Sequence, residues 1–413
     1  MPILSFVNRK QTARIVPESA PLELTVEKLV PGGEGLARHE GKVVFIPGTL
    51  PGERIRARLT ESKKDYARAE VLEVLEPSPE RIVPPCPVAG RCGGCDWQHI
   101  GYAAQLLQKT AMAADALRRI GGMEWPGLGI EPGEPWRYRN RAQLHRAPGG
   151  GMGFLARGSH DVVPVTTCPV ADPSLDALLA PEAAPAAGSA RFMAWGHAGR
   201  GGTGGARALA AMGNAAGREH ENDAAAEGGE ISVDILGKTI RFDLRCFFQS
   251  NAGMVEKLIP YALEGLSGTT AMDLYCGVGL FGAFLADHFR SVIAVEENAS
   301  SLAYARKNIP GAEHVFLQGR LEDLVLQGSL GGPDAAPEAV IVDPPRPGLD
   351  QAVRDWLIER MPPRLVYVSC NPATMARDLK SLTASGFVVK DMRLFDFYPQ
   401  TAHVEAVARL EPA

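Results

Sequence analysis

Cys370 stands in Val368-Ser369-Cys370-Asn371-Pro372, at the end of a predicted strand, and a carboxylate follows about 35 residues later in His403-Val404-Glu405. A thiolate can add to an electron-poor ring carbon, and a carboxylate within reach can then take a proton from the neighbouring carbon. Methylation of a pyrimidine carbon needs that pairing, because uracil C5 is too weakly nucleophilic to attack a sulfonium until a nucleophile has added at C6. Small buried filler is the commoner use of a cysteine, and a charged surface position the commoner use of a strand glutamate. The setting of Cys370 between Ser369 and Asn371-Pro372, and the segments upstream, favour the chemical use.

From about Leu244 onward strands and helices alternate. Strands are predicted at Thr270-Tyr275, Ser291-Glu296, His314-Gln318, Ala339-Asp343, Leu365-Ser369, Phe387-Arg393 and His403-Arg409, with helices beginning near Leu280, Asn298, Asp350 and Ala373. Seven strands whose last two lack a helix between them imply an α/β fold. Its layout is that of a Rossmann-like class I methyltransferase, a seven-stranded mostly parallel sheet ending in an antiparallel hairpin.

The first of these strands ends in Asp273-Leu-Tyr275-Cys-Gly277-Val-Gly279-Leu-Phe-Gly282, which contains GxGxxG, a weak signal alone. Asp273 precedes the glycines and Glu296 ends the next strand, where a carboxylate suits the ribose hydroxyls of NAD or of S-adenosylmethionine. Asp343-Pro344-Pro345-Arg346 and Cys370 follow later strands on the same edge. Hydride transfer has no use for a thiolate there, so methyl transfer is preferred.

The seven cysteines are an odd number and argue against a disulfide framework. Cys86, Cys92 and Cys95 form a Cys-x5-Cys-x2-Cys run, and Cys168 lies apart. Four thiolates suit zinc or an iron-sulfur cluster. The single long arm and the distant fourth ligand fit the paired arms of zinc poorly, so the cluster is preferred.

At 413 residues the chain exceeds one hydrophobic core, and two or three domains are expected. No run of about 18 apolar residues and no signal-peptide pattern occurs, which predicts a cytoplasmic location without membrane contact. The net charge is -5, yet residues 1–160 hold 22 Lys and Arg against 17 Asp and Glu, so positive potential gathers in the N-terminal part. There, residues 22–76 alternate with period two between Pro-Gly turns and suggest a small oligonucleotide-binding barrel. Arg54, Arg56 and Arg58 fall on one face, either as a phosphate track or as ordinary protection of a sheet edge. A helix is predicted from Tyr102 to Ile120. Trp136-Arg137-Tyr138-Arg139-Asn140-Arg141 interleaves cations and aromatics, as an RNA surface or as a strand with its aromatics inward. Residues 181–230 are just over half Ala and Gly, and part of the stretch is expected to be a flexible or poorly ordered insertion.

Taken in order, these elements resemble the RNA 5-methyluridine (uracil-C5) methyltransferase family, in particular its iron-sulfur branch with an N-terminal TRAM domain. The resemblance rests on the four cysteines, Phe247-x-Gln249-x-Asn251, the Asp273 glycine loop, Asp343-Pro-Pro-Arg346, Ser369-Cys370-Asn371-Pro372 and Thr401-Ala-His403-Val-Glu405. It implies a TRAM barrel over 15–76, a central cluster and RNA-binding domain over 77–243, and a catalytic domain over 244–413. It implies Cys370 and Glu405 as catalytic residues, and Gln249, Tyr275, Gly277, Gly279, Glu296 and Asp343 around S-adenosylmethionine or the target uracil. Cys86, Cys92, Cys95 and Cys168 would hold a 4Fe-4S cluster, and Arg54, Arg56, Arg58, Arg137, Arg139 and Arg141 would meet RNA. The implied substrate is a uridine of 23S rRNA, or else of the tRNA T-loop, and the chain is expected to act as a monomer. Two departures from the family pattern are Leu280, where relatives carry a polar residue, and the low-complexity stretch. An RNA 5-methylcytidine enzyme would want a second cysteine that Asp343-Pro-Pro-Arg346 lacks; an NAD-dependent iron-sulfur oxidoreductase or an inactive RNA scaffold would leave Cys370 and Glu405 unused.

Overall fold

Segments such as Ala339–Val342 and Leu365-Val-Tyr-Val368 are apolar on both faces, and only a sheet covered on both sides can bury them. In the computed structural model, which describes residues 14–15, 20–180, 190–197, 206–212, 229–330 and 337–413, they lie at the centre of an eight-stranded sheet. Its strands are β1 (Gly129–Glu131), β2 (Gly268–Leu274), β3 (Phe289–Glu296), β4 (Val315–Gln318), β5 (Ala339–Val342), β6 (Arg364–Ser369), β7 (Phe387–Phe395) and β8 (Glu405–Pro412). They are ordered β4-β3-β2-β5-β6-β8-β7-β1. β2 to β6 run parallel; β8 pairs antiparallel with both β6 and β7. The predicted count of seven is thus one short. β1, parallel to β7, is only three residues long, which carries no readable period.

Alternate residues of the central strands feed two separate cores. Ala271, Ala294, Ile341 and Val366 join one, while Met272, Leu274, Val340 and Tyr367 join the other. α1 (Tyr102–Ala116) contributes to the second, as does the helix over Pro372–Ala384, whose first turn follows Cys370. The first core takes in α2 (Ala252–Leu263) and the hairpin Glu230–Ile235 with Lys238–Asp243, whose Ile231, Val233, Ile235, Ile240 and Phe242 are all buried there. A boundary at 243/244 would therefore run through one hydrophobic core, which also takes in Met193 and Trp195 of the central region.

The N-terminal seven-stranded sheet spans Arg14–Ile15 to Tyr66–Glu76 and buries Leu24, Val44, Ile55 and Ala57. Period two turns Arg54, Arg56 and Arg58 outward, but each meets an acid. Arg54 binds Glu23 and Glu76, Arg56 binds Glu73, and Arg58 binds Glu70. Arg56 and Arg58 lie directly across the strand pair from those partners, so the face is a charge-balanced ladder instead of an uncompensated positive track.

The central region holds a five-stranded sheet ordered Val162–Pro164, Met152–Leu155, Arg141–Arg146, Arg191–His197, Ala206–Met212. Two of these strands come from the Ala/Gly-rich stretch, part of which is expected to lack order. Gly196 shows why small residues sit there, since a Cβ on it would lie 2.9 Å from the Leu175 side chain. The rest of that stretch, 181–189, 198–205 and 213–228, lies outside the described residues. Among the described residues no helix is long and apolar enough to cross a membrane.

α1 follows the prediction for 102–120 except that its last turn, Leu117–Gly121, widens to a π-helix before Gly122 stops it at φ 65°. Its buried face carries Gln105 and Lys109, each 0% exposed. Lys109 Nζ donates to Asp396 Oδ1 at 2.5 Å and to the Tyr398 carbonyl at 3.0 Å, and Tyr102 Oη reaches Asp396 Oδ2 at 2.9 Å. Removing one member of a dry ion pair strands the other charge. Lys109→Met is expected to cost about 3–5 kcal/mol in urea unfolding. The double variant with Asp396→Leu should recover part of that loss.

Candidate active site

Open sheets of this kind bind ligands outside the carboxyl ends of their strands. β2 ends there in a glycine loop. Tyr275 takes φ 62°, Gly277 φ 54°, and Gly279 caps the next helix, α3 (Leu280–Leu285), at φ 81°. A Cβ on Gly279 would stand 3.0 Å from Ala305, so the loop and the helix Ala299–Asn308 pack too closely for a side chain. Leu280, the residue that departs from the family pattern, is buried in the first turn of α3. At the end of β3 the Glu296 carboxylate closes the loop, accepting the Gly277 N–H at 3.0 Å and the Asn298 N–H at 2.9 Å. Burial raises the Glu296 pKa, and these N–H groups work against that rise.

Asp273 is fully buried beneath the loop. Its Oδ2 accepts the Gly282 N–H at 2.7 Å, while Oδ1 has no partner. Burial pushes its pKa to about 7, aided by the charges of Asp343 and Glu296.

Cys370 occupies the turn from β6 into its helix. Ser369 Oγ accepts the Asn371 N–H at 3.1 Å, Asn371 caps the helix through the Ala373 N–H, and Pro372 fills the first turn. Asn371 Nδ2 and Thr374 Oγ1 both donate to the Arg346 carbonyl, at 3.1 and 3.2 Å, which ties this turn to Asp343-Pro-Pro-Arg346. β6 and β8 pair with Ser369 opposite Ala406. Continuing that antiparallel register by one residue sets Cys370 opposite Glu405.

The electrostatics agree with this geometry. Burial pushes the Cys370 thiol up to about 12, with Glu405 and Asp343 adding to the rise and Arg346 opposing it. Glu405, 3% exposed, is raised well above the carboxylate range by burial and then by Asp343. Burial also lifts Asp343 to about 7. His403 is lowered by burial and by Arg346. The structure thus gathers Tyr275, Glu296, Asp343, Cys370 and Glu405 on one edge. Gln249 is half-buried beside exposed Phe247, and Asn251 anchors that segment by capping α2 and donating to the Phe397 carbonyl at 3.1 Å. Arg346, outside the sequence-derived site, lowers the pKa of both the thiol and Glu405 by its charge. Lys109 and Gln105 were also missed, although polar residues four apart on the apolar face of a helix are a readable signal.

Cys86, Cys92, Cys95 and Cys168 line one cavity together with Arg139. Burial pushes Cys95 to about 12, and Cys168 and Cys92 add to the rise. Among the described residues no three His, Cys, Asp or Glu side chains stand where they could hold a metal ion. In the Trp136 to Arg141 segment Tyr138 is buried, as the reading with aromatics inward expects. Arg137 pairs with Asp176 at 2.7 Å, and Arg139 Nε donates to the Arg141 carbonyl at 3.0 Å. Arg141 is held by the Leu244 and Cys246 carbonyls, and burial lowers its pKa to about 10. All three arginines are therefore engaged within the protein, and Arg139 also borders the cysteine cavity.

In shape the chain is similar to the Pyrococcus abyssi tRNA (uracil-54, C5)-methyltransferase in complex with S-adenosyl-L-homocysteine, with a TM-score of 0.69 at 23% identity over 94% of this chain and 100% of that one. Fold and site edge together define an α/β methyltransferase. The family description tRNA (Uracil-5-)-methyltransferase matches residues 228–318 and 319–412, and the TRAM domain matches 20–72. The 23S rRNA (uracil(1939)-C(5))-methyltransferase RlmD of Pectobacterium atrosepticum is 34% identical over 97% of this chain and 96% of its own length. An RNA methyltransferase of Gloeobacter violaceus is 34% identical over 94% and 95%. The chain belongs to the RNA uracil-C5 methyltransferase family, with an N-terminal TRAM domain, and its reaction is S-adenosylmethionine-dependent methylation of uracil C5 in RNA.

Asp273 yields a test by pH. Its folded pKa of about 7 lies above the unfolded value of 3.8, so the stability tied to its protonated form is complete below about pH 4 and lost as pH rises through 7. Without cofactor, Asp273→Asn should gain stability over the parent between pH 5 and 8, approaching about 4 kcal/mol. Thermal unfolding across that range checks it.

Proposed function

We propose that this chain methylates C5 of a uridine in 23S rRNA, with Cys370 as nucleophile and Glu405 as the base that removes the C5 proton. The observation that carries the roles is the β6/β8 register that sets the thiol opposite the carboxylate, with Asp343 beside them. The rRNA target is supported by the curated relatives named for 23S rRNA and by the TRAM match. The uridine must leave its stack to enter so enclosed an edge.

Bound S-adenosylmethionine supplies the methyl group as a sulfonium. Tyr275, Gly277, Gly279 and Glu296 would hold it at the glycine loop, where the Glu296 carboxylate is already fixed by two N–H groups and suits ribose hydroxyls. Gln249 and Asp343 would hold the uracil edge or the methyl donor. Cys370 reacts as the thiolate fraction that Arg346 favours: Sγ bonds to C6, and the C5=C6 electron pair moves to give an enolate whose C5 accepts the methyl group. Glu405 then takes the C5 proton. That C–H pair re-forms C5=C6, the Sγ–C6 bond breaks, and the thiolate leaves with its electrons. NAD-dependent redox chemistry and an RNA 5-methylcytidine activity have no support from the family matches.

In this reading the TRAM sheet binds RNA, and Cys86, Cys92, Cys95 and Cys168 hold a 4Fe-4S cluster between it and the catalytic unit. What supports the cluster is that all four cysteines line one cavity. The Gly94 N–H, 3.4 Å from Cys92 Sγ, is the kind of donor that steadies cluster thiolates. The seven free cysteines suit a reducing cytoplasm.

With 5-fluorouridine RNA and S-adenosylmethionine, the protein should form a covalent band on denaturing gels that Cys370→Ser abolishes. Absence of that band with the parent protein would remove the nucleophile assignment. Glu405→Gln should instead trap ordinary uridine RNA, with turnover reduced about 10²–10⁴-fold. Mapping 5-methyluridine in rRNA and tRNA from a deletion strain identifies the substrate. Anaerobically purified protein should contain iron and acid-labile sulfide at about four of each per chain, lost in Cys95→Ser; zinc without sulfide would overturn the cluster.

A further inference from the structure

The nine residues 396–404 between β7 and β8 lead directly into Glu405 and contain no strand of their own. Pairing within the catalytic sheet therefore does not set their course. It is set from outside, by α1 and the segments on either side of it.

Gln105 is fully buried and spends both ends of its amide on this task. Its Oε1 accepts the Gln400 backbone N–H at 2.9 Å, and its Nε2 donates to Gln400 Oε1 at 2.9 Å, to the Ile100 carbonyl at 2.9 Å and to the Trp97 carbonyl at 3.2 Å. Gln400, 2% exposed, is held at φ 67°, a left-handed conformation that costs a residue with a Cβ about 1 kcal/mol or more and persists only where its surroundings impose it. The Gln400 carbonyl accepts two further N–H groups, from Asp96 and Trp97, both at 3.0 Å. Its Nε2 reaches the Pro135 carbonyl at 3.3 Å, and Tyr138 Oη donates to the preceding Pro399 carbonyl at 2.9 Å. Beyond Gln400, Thr401 Oγ1 donates to the Tyr398 carbonyl at 2.8 Å and accepts the His403 N–H at 3.2 Å, which completes a chain of fixed contacts to the start of β8.

We propose that Gln105 and Gln400 are positioning residues for Glu405, and that their reciprocal amide pair sets the step in which the C5 proton is removed while leaving thiolate addition and methyl transfer largely intact. This rests on the assignment of Glu405 as the base. The distinction between steps follows from attachment. Cys370 is fixed by β6 and by its own helix cap, and its helix meets α1 through Ala113, Ala116 and Leu117, two turns or more beyond Gln105, whereas Glu405 hangs on a strand whose entry is steered by Gln400. A displacement of about 1 Å at a reacting group is enough to cost about 100-fold.

The test uses full-length protein with unmodified 23S rRNA transcripts carrying uridine, [5-²H]uridine or 5-fluorouridine. In Gln105→Met, turnover should fall about 10- to 100-fold with the KM for S-adenosylmethionine little changed. A denaturation-resistant protein–RNA adduct should appear with ordinary uridine, the deuterium isotope effect on turnover should exceed that of the parent, and 5-fluorouridine trapping should stay at the parental extent. If turnover and 5-fluorouridine trapping fall together with no added isotope effect, the pair is merely structural and the proposal is overturned. Tyr138→Phe removes one hydroxyl from the same loop and leaves the core intact, so it decides the matter should Gln105→Met not fold. It should show a smaller rise in isotope effect, and the parental value there would overturn the proposal. Failure of the parent protein to trap 5-fluorouridine RNA is a separate result that removes the Cys370 and Glu405 reading itself, and the positioning role with it.

Discussion

The antiparallel register of β6 against β8 is the constraint on which the rest depends. Side chains in a sheet alternate with a period of two, so a slip of one residue would turn Glu405 to the opposite face and leave Cys370 facing an alanine or valine. Everything around the pair guards that register. Val366, Val368 and Val407 are locked into one core, Tyr367, Ala406 and Ala408 into the other, and the two cores penalise a shift in either direction. The hairpin that breaks the parallel run is what brings a carboxylate from the end of the chain to a thiol on the central strand.

The same enclosure makes the site electrostatically tense. Two carboxyls and a thiol share a dry edge, and burial raises all three pKa values. Arg346 is the cation that tempers Cys370 and Glu405, and Asn371 and Thr374 hold its backbone against the Cys370 turn. A lone Asp273 oxygen under the glycine loop adds to the strain. Such costs are borne by the extensive cores on both faces of the sheet.

The catalytic half was largely legible because its signals are local. Apolar runs of strand length, caps at Asn298, Asp350 and Asn371, and acids at strand ends all act within a few residues. What escaped notice depends on partners far away in sequence. Arg54, Arg56 and Arg58 show the alternation expected of an exposed face, but nothing local reveals that glutamates on neighbouring strands neutralise them. Low complexity hid the strands Arg191–His197 and Ala206–Met212, because small residues mark both disorder and close packing. The α1 network was invisible for the same reason, since Lys109 and Asp396 are 287 residues apart.

The three-residue strand β1 has a meaning beyond its size. It belongs to the chain before the central sheet, yet it covers the outer edge of β7, the last-but-one strand of the catalytic sheet. In the order of synthesis it waits, unpaired, until nearly the whole chain has emerged, so completion of the sheet is among the most non-local events of folding. A fragment cut to the catalytic half alone would leave Arg393, Leu394 and Phe395 of β7 without their strand partner and lengthen its open edge. The catalytic sheet is thus completed by a segment that lies more than a hundred residues upstream of its other strands.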